Sequence, residues 1–178
     1  MPNHVHNIIN LTGPVEDIKK LSELVYNKNY RYSDGEIEEK AFDFDRIIHM
    51  PKNIYRGGLG LEEKEKYGKN NWYDWSIANW GTKWNAYDIS EPNISLKEKS
   101  GSYKISFNTA WSAPLPVYFE LARLFPRIEG LIQYADEDMG YNCGEIKIEG
   151  GQLYQWTPEE SGSDAALDFA SQVWGEEY

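Results

Sequence analysis

The order of apolar and polar positions predicts strands and helices along most of the chain. Residues 103–109 alternate with a period of two, which is typical of a strand with one buried face. Residues 15–25 carry apolar side chains at helical spacing after Pro14, a residue that suits the first turn of a helix. The same reasoning predicts further strands at 4–11, 41–48, 131–135, 141–149 and 152–156, and further helices near 71–80, at 114–125 and at 164–173.

Taken without residues 52–101 and the last hairpin, these elements follow the order βαββαβ. That order predicts an α+β, ferredoxin-like sandwich in which two helices pack on one face of an antiparallel sheet. Residues 52–101 then form a Trp-rich helical insertion between strands 2 and 3. Gly150-Gly151 predicts a C-terminal hairpin that extends the antiparallel sheet. We expect residues 1–178 to form a single ferredoxin-like domain, because the length is typical of one domain.

The negative charge of the chain lies at one end of the sequence. The net charge is -11, and residues 129–178 hold 12 acidic residues but only one basic residue, Lys147. We therefore predict an acidic C-terminal extension over about 138–178. Such a surface repels phosphate groups, so direct nucleic-acid binding is disfavoured. It is either a solvated face or a surface that meets a basic partner.

Two features indicate a cytoplasmic protein without a membrane segment. No run of about eighteen apolar residues is present, and the N-terminus lacks the basic and apolar regions of a signal peptide. Cys143 is the only cysteine, so it has no partner for an internal disulfide, which agrees with a reducing compartment.

Tryptophan is concentrated in one part of the predicted insertion. Four of the seven tryptophans lie in residues 71–86, where amides and a lysine alternate with the rings. These rings either anchor the insertion on the sheet or line a pocket for a flat or sugar-like ligand. The candidate ligand- or partner-binding residues are Asn79, Trp80, Thr82, Lys83, Trp84 and Asn85, joined by Trp111 after the third strand and by Asp136 and Glu137 before a turn.

Sequence motifs for catalysis are missing. His4 and His6 have a metal-binding spacing, but that spacing supplies no third or fourth ligand, and Cys143 has no neighbouring base. No Walker loop, nucleophile elbow, HExxH or CxxC pair occurs. We predict no catalytic residue, no metal and no cofactor, and we lean towards a protein that is not an enzyme.

Four segments resemble one known family: residues 79–86, the opening residues 1–5, residues 109–112 and residues 134–137. They are similar to segments of the YubB-type family, ferredoxin-like domains of unknown function encoded on bacterial plasmids and phages. The resemblance spans most of the chain. It implies a ferredoxin-like fold and a role as an accessory protein of a mobile element, and it carries no functional residue onto this chain.

Two hypotheses about function follow. The first is a non-enzymatic protein-interaction module that uses its acidic C-terminal surface, its Trp-rich insertion or both. Its protein partner is unknown, and is basic if the acidic surface forms the contact. The alternative is a small-ligand-binding protein or enzyme with a pocket between the insertion and the sheet.

Overall fold

The computed structural model describes residues 2–31 and 35–175, which contain eight strands and five α-helices. A short 3-10 helix, Phe44–Arg46, lies in the loop after the third strand. The strands are β1 (His4–Pro14), β2 (Asn27–Arg31), β3 (Ile37–Lys40), β4 (Asn93–Leu96), β5 (Ser100–Ala110), β6 (Glu129–Asp136), β7 (Gly144–Glu149) and β8 (Gln152–Trp156), and the helices are α1 (Val15–Val25), α2 (Leu61–Tyr67), α3 (Trp72–Trp80), α4 (Leu115–Leu124) and α5 (Asp164–Trp174).

Six strands form one antiparallel sheet in the order β4-β5-β1-β6-β7-β8, while β2 pairs with β3 separately. Strand β1 lies inside the sheet, between β5 and β6. The elements β1, α1, β4, β5, α4 and β6 follow the βαββαβ order of a ferredoxin-like sandwich. Strands β7 and β8 continue the sheet beyond β6.

The two faces of the sheet are covered by different helices. Val5 and Ile9 of β1 pack in the larger core together with Ile18 of α1 and Leu121 of α4. Ile8 points to the opposite face, because successive strand residues alternate sides, and it packs beside the smaller core that α5 forms with β6. The structure therefore has three layers: α1 with α4, the sheet, and α5.

The predicted strand at 41–48 is wrong. These residues form a loop with the 3-10 helix, and the second strand of the βαββαβ order is β4 instead. Phe42 and Phe44 mimic strand alternation because both rings are fully buried in the same core. The ring of Phe42 stacks on that of Phe107 at 4.9 Å between centroids, so the loop is held by side chains and not by a strand neighbour.

The position of the insertion changes as a consequence. Strand β4 begins at Asn93, inside the range 52–101 predicted as the insertion. Residues 26–92 lie between α1 and β4, so the Trp-rich helix α3 precedes the second strand of the sandwich and does not follow it.

Several local signals in the sequence do form the structures they indicate. Helix α3 begins after Asn71, whose side-chain oxygen accepts the N–H groups of Tyr73 and Asp74, and ends at Gly81 with φ of 76°. Gly150 and Gly151 have φ of 58° and 77° in the turn between β7 and β8. Left-handed values suit glycine, so these glycines allow the tight hairpin.

The α-helices of the described residues contain between seven and eleven residues. None of them has the length and apolar character that crossing a bilayer requires.

Candidate functional site

Asn85 is a buried structural residue. Its Nδ2 donates to Asp43 Oδ1 at 2.7 Å, and its Oδ1 accepts the backbone N–H groups of Phe44 and Ala86 at 3.0 and 2.9 Å. Asp43 is itself fully buried and also accepts a hydrogen bond from Asn27 Nδ2 at 2.6 Å. The Asn85 amide therefore fastens the end of the Trp-rich segment to the loop that packs on the core.

Three other candidates from the Trp-rich segment also bond to the main chain. Thr82 is buried, donates to the carbonyl of Ala110 at 2.7 Å and accepts its N–H at 3.1 Å. Trp80 is buried and donates its indole N–H to the carbonyl of Ile48 at 2.9 Å. The Asn79 amide donates to the carbonyl one turn earlier in α3. Of these contacts, that of Thr82 with Ala110 of β5 anchors the Trp-rich segment on the sheet, and that of Trp80 ties α3 to the loop after β3.

Lys83, Trp84 and Trp111 come together at the surface, and we call these three residues the Trp patch. The Lys83 ammonium lies 4.5 Å from the ring centroid of Trp84 and 4.9 Å from that of Trp111. Tyr73 of α3 supports the patch from one side, with its ring edge-to-face to Trp111 at 6.1 Å. Trp111 keeps 42% of its surface exposed, and Lys83 and Trp84 are partly exposed, so a lysine and two rings reach the surface together.

Three of the seven tryptophans use their indole N–H groups within the structure. Trp72, Trp80 and Trp174 each donate to a main-chain carbonyl. Within the described part of the chain, Trp84 and Trp111 have no acceptor for their N–H groups, and the same holds for Trp75 and Trp156 outside the patch. Indole N–H groups usually have a partner when they are buried. Those of the patch remain available to a binding partner.

The backbone holds Trp111 in an unusual conformation. Its φ is 74°, a left-handed value that is uncommon for a bulky side chain. Two hydrogen bonds fix this turn: the N–H of Trp111 donates to the carbonyl of Asn3 at 3.0 Å, and its carbonyl accepts from Asn142 Nδ2 at 2.9 Å. Backbone strain of this kind concentrates at functional sites, so it supports a binding role for the ring.

Asp136 positions the two residues that hold the backbone of Trp111. It is buried, and its carboxylate accepts hydrogen bonds from the amides of Asn3 and Asn142 at 3.1 and 3.0 Å. Those are the two residues that hold the backbone of Trp111. Glu137 is exposed, and its carboxylate accepts the backbone N–H of His4 at 3.0 Å. Of the two predicted carboxylates, Asp136 is therefore part of the framework and Glu137 lies at the surface.

The acidic C-terminal extension lies largely at the surface as well. Within residues 129–175 of the described chain, Lys147 and Glu149 form the one ion pair, at 2.7 Å. The last three residues of the predicted extension, 176–178, lie outside the described residues. The other exposed acidic side chains of this part are Glu129, Glu137, Asp138, Glu159, Glu160, Asp164 and Asp168.

The histidines and the cysteine have structural surroundings. His4 Nδ1 shares a hydrogen bond with the hydroxyl of Tyr87 at 2.6 Å, and His6 Nδ1 lies 2.8 Å from the side-chain oxygen of Asn108. No group of three or more His, Cys, Asp or Glu in the described chain is arranged to hold a metal. Cys143 packs in the smaller core, and burial raises the pKa of its thiol.

A separate cavity of about 390 Å³ lies beside the start of the loop after β3. Lys40 lines it and is 5% exposed, with its ammonium 2.5 Å from the carbonyl of Ala86 and 4.2 Å from the ring centroid of Tyr30. Burial lowers the pKa of Lys40 to about 8, and the nearby Asp43 carboxylate opposes that shift. No sequence pattern indicates that this lysine is buried, because its burial depends on contacts with residues distant in sequence.

Sequence reasoning also missed Tyr73 and Asn142. Tyr73 lies in the Trp-rich segment, so its aromatic character was a usable signal. Asn142 carried no signal, because its role depends on Trp111 and Asp136 approaching it from other strands.

Comparison with known proteins gives one match. A family model described as a ferredoxin-like domain in Api92-like protein matches residues 79–177, which is more than half of the chain. No curated protein and no solved structure matches. The match supports the ferredoxin-like fold and includes the three residues of the Trp patch. It does not carry the YubB-type name or an origin on plasmids or phages, so those stay predictions.

Proposed function

The chain belongs to the family of ferredoxin-like domains in Api92-like proteins, and we propose that it is a non-enzymatic module that binds another protein through the Trp patch. The observation that carries this proposal is the pair of partly exposed indoles around Lys83. Their N–H groups lack acceptors within the described chain, and Trp111 has a strained backbone fixed by two hydrogen bonds.

The shape of the surface favours a protein over a small ligand. Five cavities in the described chain are lined by residues other than Lys83, Trp84 and Trp111. Small molecules usually bind in concave sites that cover most of their surface. Exposed tryptophans beside a cation are instead typical of the residues that dominate protein–protein contacts.

The acidic C-terminal surface supplies a second part of the proposal. Glu137 and Asp138 follow directly after Asp136, whose carboxylate holds the framework of the Trp patch. A partner seated on the patch would lie close to these exposed carboxylates. We therefore propose a partner with net positive charge, met in the cytoplasm, and a role for the whole chain as one domain of a mobile-element accessory protein.

Binding of proteins from a bacterial lysate tests this function. The immobilised chain is compared with the double variant Lys83→Ala/Trp111→Ala and with the control variant Tyr154→Ala. Tyr154 is an aromatic side chain that is 56% exposed, on the face of the sheet that α5 covers. We expect a basic protein that is retained by the wild type and by Tyr154→Ala, lost from the double variant, and released as salt rises. Melting temperatures of all three proteins check that folding is unchanged.

An identical set of captured proteins for the wild type and the double variant would contradict the proposal. If the partner is retained at high salt but lost from the double variant, the Trp patch remains part of the proposed interface and the acidic surface does not.

The Lys40 cavity favours a second candidate function, the binding of a small ligand. It is a concave site beside the insertion and contains a buried amine whose pKa is lowered to about 8. Thermal shift across nucleotides, sugars and organic acids tests this candidate. A ligand at a hundredfold its Kd adds about 2.7 kcal/mol of stability. We expect that gain to disappear in Lys40→Met, and a panel without a stabilising compound would count against the site.

A further inference from the structure

We infer that the Trp patch continues into an apolar groove between α3 and α4, and that one peptide segment of the partner occupies both. In this arrangement, apolar side chains of the segment fill the groove and one of its carboxylates contacts Lys83. The inference rests on the proposed function and adds the chemistry of the bound segment.

The groove is open and largely apolar. It forms a cavity of about 510 Å³ lined by Ile48, Ala78, Asn79, Leu115, Pro116, Phe119, Glu120 and Leu153. Phe119 is 54% exposed and Leu115 is 37% exposed, and they lie one turn apart on the same side of α4. Exposed apolar side chains gathered in this way mark contact sites.

Helix α3 connects the groove with the Trp patch. Tyr73 contacts the Trp111 ring, and Ile77, which is 41% exposed, lies one turn later on the same face of α3. The next residue, Ala78, lines the groove. On the other side, Leu115 follows Trp111 by four residues. The exposed apolar surface thus runs from Trp111 along α3 and the start of α4.

Lys83 determines which charge the bound segment carries where it contacts the Trp patch. No carboxylate within the described chain pairs with its ammonium, which lies over the two indole rings. Lysine ammonium and indole N–H groups donate hydrogen bonds and accept none. The patch therefore presents donors only, and a carboxylate is the protein group that accepts several donors at once.

Charge also argues against a second copy as the occupant. Each chain carries a net charge of -11, so two copies repel each other as whole molecules. A segment of a basic partner that contains one acidic residue fits both requirements. Its carboxylate accepts from Lys83 and the indole N–H groups, and the positive charge of the partner complements the net negative charge of the chain. Grooves between helices commonly bind short segments through apolar side chains at regular spacing.

Selection of peptides displayed on phage tests the inference, with the full chain as bait. We expect enriched peptides to carry at least two apolar residues and one Asp or Glu beside them. A synthetic copy of an enriched peptide is then titrated against the wild type and four variants. Phe119→Ala, Lys83→Met and Trp111→Ala should each weaken binding roughly tenfold, because each removes a central contact, whereas Tyr154→Ala should leave it unchanged.

The outcomes separate this inference from the proposed function. If Trp111→Ala weakens peptide binding and Phe119→Ala does not, the peptide contacts the patch but not the groove. Enriched peptides without acidic residues, or peptide binding that Lys83→Met leaves intact, would contradict the contact between a peptide carboxylate and Lys83. Absence of any enriched peptide, or equal binding to all four variants, overturns both the inference and the surface on which it rests.

Discussion

Replacing Asn85 by alanine should destabilise the protein strongly, although Asn85 lies only two residues from Lys83 of the Trp patch. The variant removes the hydrogen bond to the buried Asp43 carboxylate and leaves the buried N–H of Phe44 without its acceptor. A hydrogen bond to a charged group contributes about 2 kcal/mol, and a buried donor left without a partner costs about 2 kcal/mol. We therefore expect the free energy of unfolding to fall by about 4 kcal/mol.

Urea denaturation followed by circular dichroism measures this loss, and thermal melting gives a second reading. For a chain of this size, a loss of about 4 kcal/mol lowers Tm by about 10 °C. Lys83→Ala is the matched control. Because the Lys83 ammonium contacts two partly exposed rings, the free energy of unfolding of this variant should differ from that of the wild type by less than about 1 kcal/mol. Asn85→Ala within 1 kcal/mol of the wild type would refute the structural role of the amide.

Three further predictions concern the patch and the buried lysine. Trp111→Gly should be more stable than Trp111→Ala by about 1 kcal/mol in urea denaturation, because glycine tolerates the left-handed φ; equal stabilities would contradict the strain. Asn142→Ala should change the tryptophan fluorescence and weaken partner binding, because it frees the Trp111 carbonyl; unchanged spectra would contradict this positioning role. The lowered pKa of Lys40, about 8 when folded, means that the unfolded chain binds more protons between pH 8 and 10.5. The unfolding free energy of the wild type relative to Lys40→Met should therefore rise by about 3 kcal/mol over that interval; a constant difference in urea titrations would contradict it.

The error at residues 41–48 shows where sequence patterns fail. Phe42 and Phe44 alternate with polar residues, as strand residues do, yet the rings anchor a loop. Strand β4 was missed for the opposite reason. Its residues are all exposed, and it is a strand because it pairs with β5 over Gly101–Lys104. A strand depends on a hydrogen-bonding neighbour, and the neighbour is not visible in local spacing.

The sequence predicted which residue types form the candidate site, and the structure separates those residues into a structural set and a surface set. The sequence placed Lys83 and Asn85 in one group, because tryptophans and polar residues alternate around both. In the structure Asn85 bonds to Asp43 from another part of the chain, while Lys83 contacts Trp111 directly after β5. Both outcomes depend on contacts between distant residues.

The sequence by itself determined the features that arise from neighbouring residues. The caps of α3 at Asn71 and Gly81 and the turn at Gly150-Gly151 follow from local backbone preferences. Only the tertiary structure decided which tryptophans are structural and which face solvent. That choice depends on which rings pack against the core and which indole N–H groups donate to a carbonyl from elsewhere in the chain, and these contacts exist only once the sheet and helices have packed together.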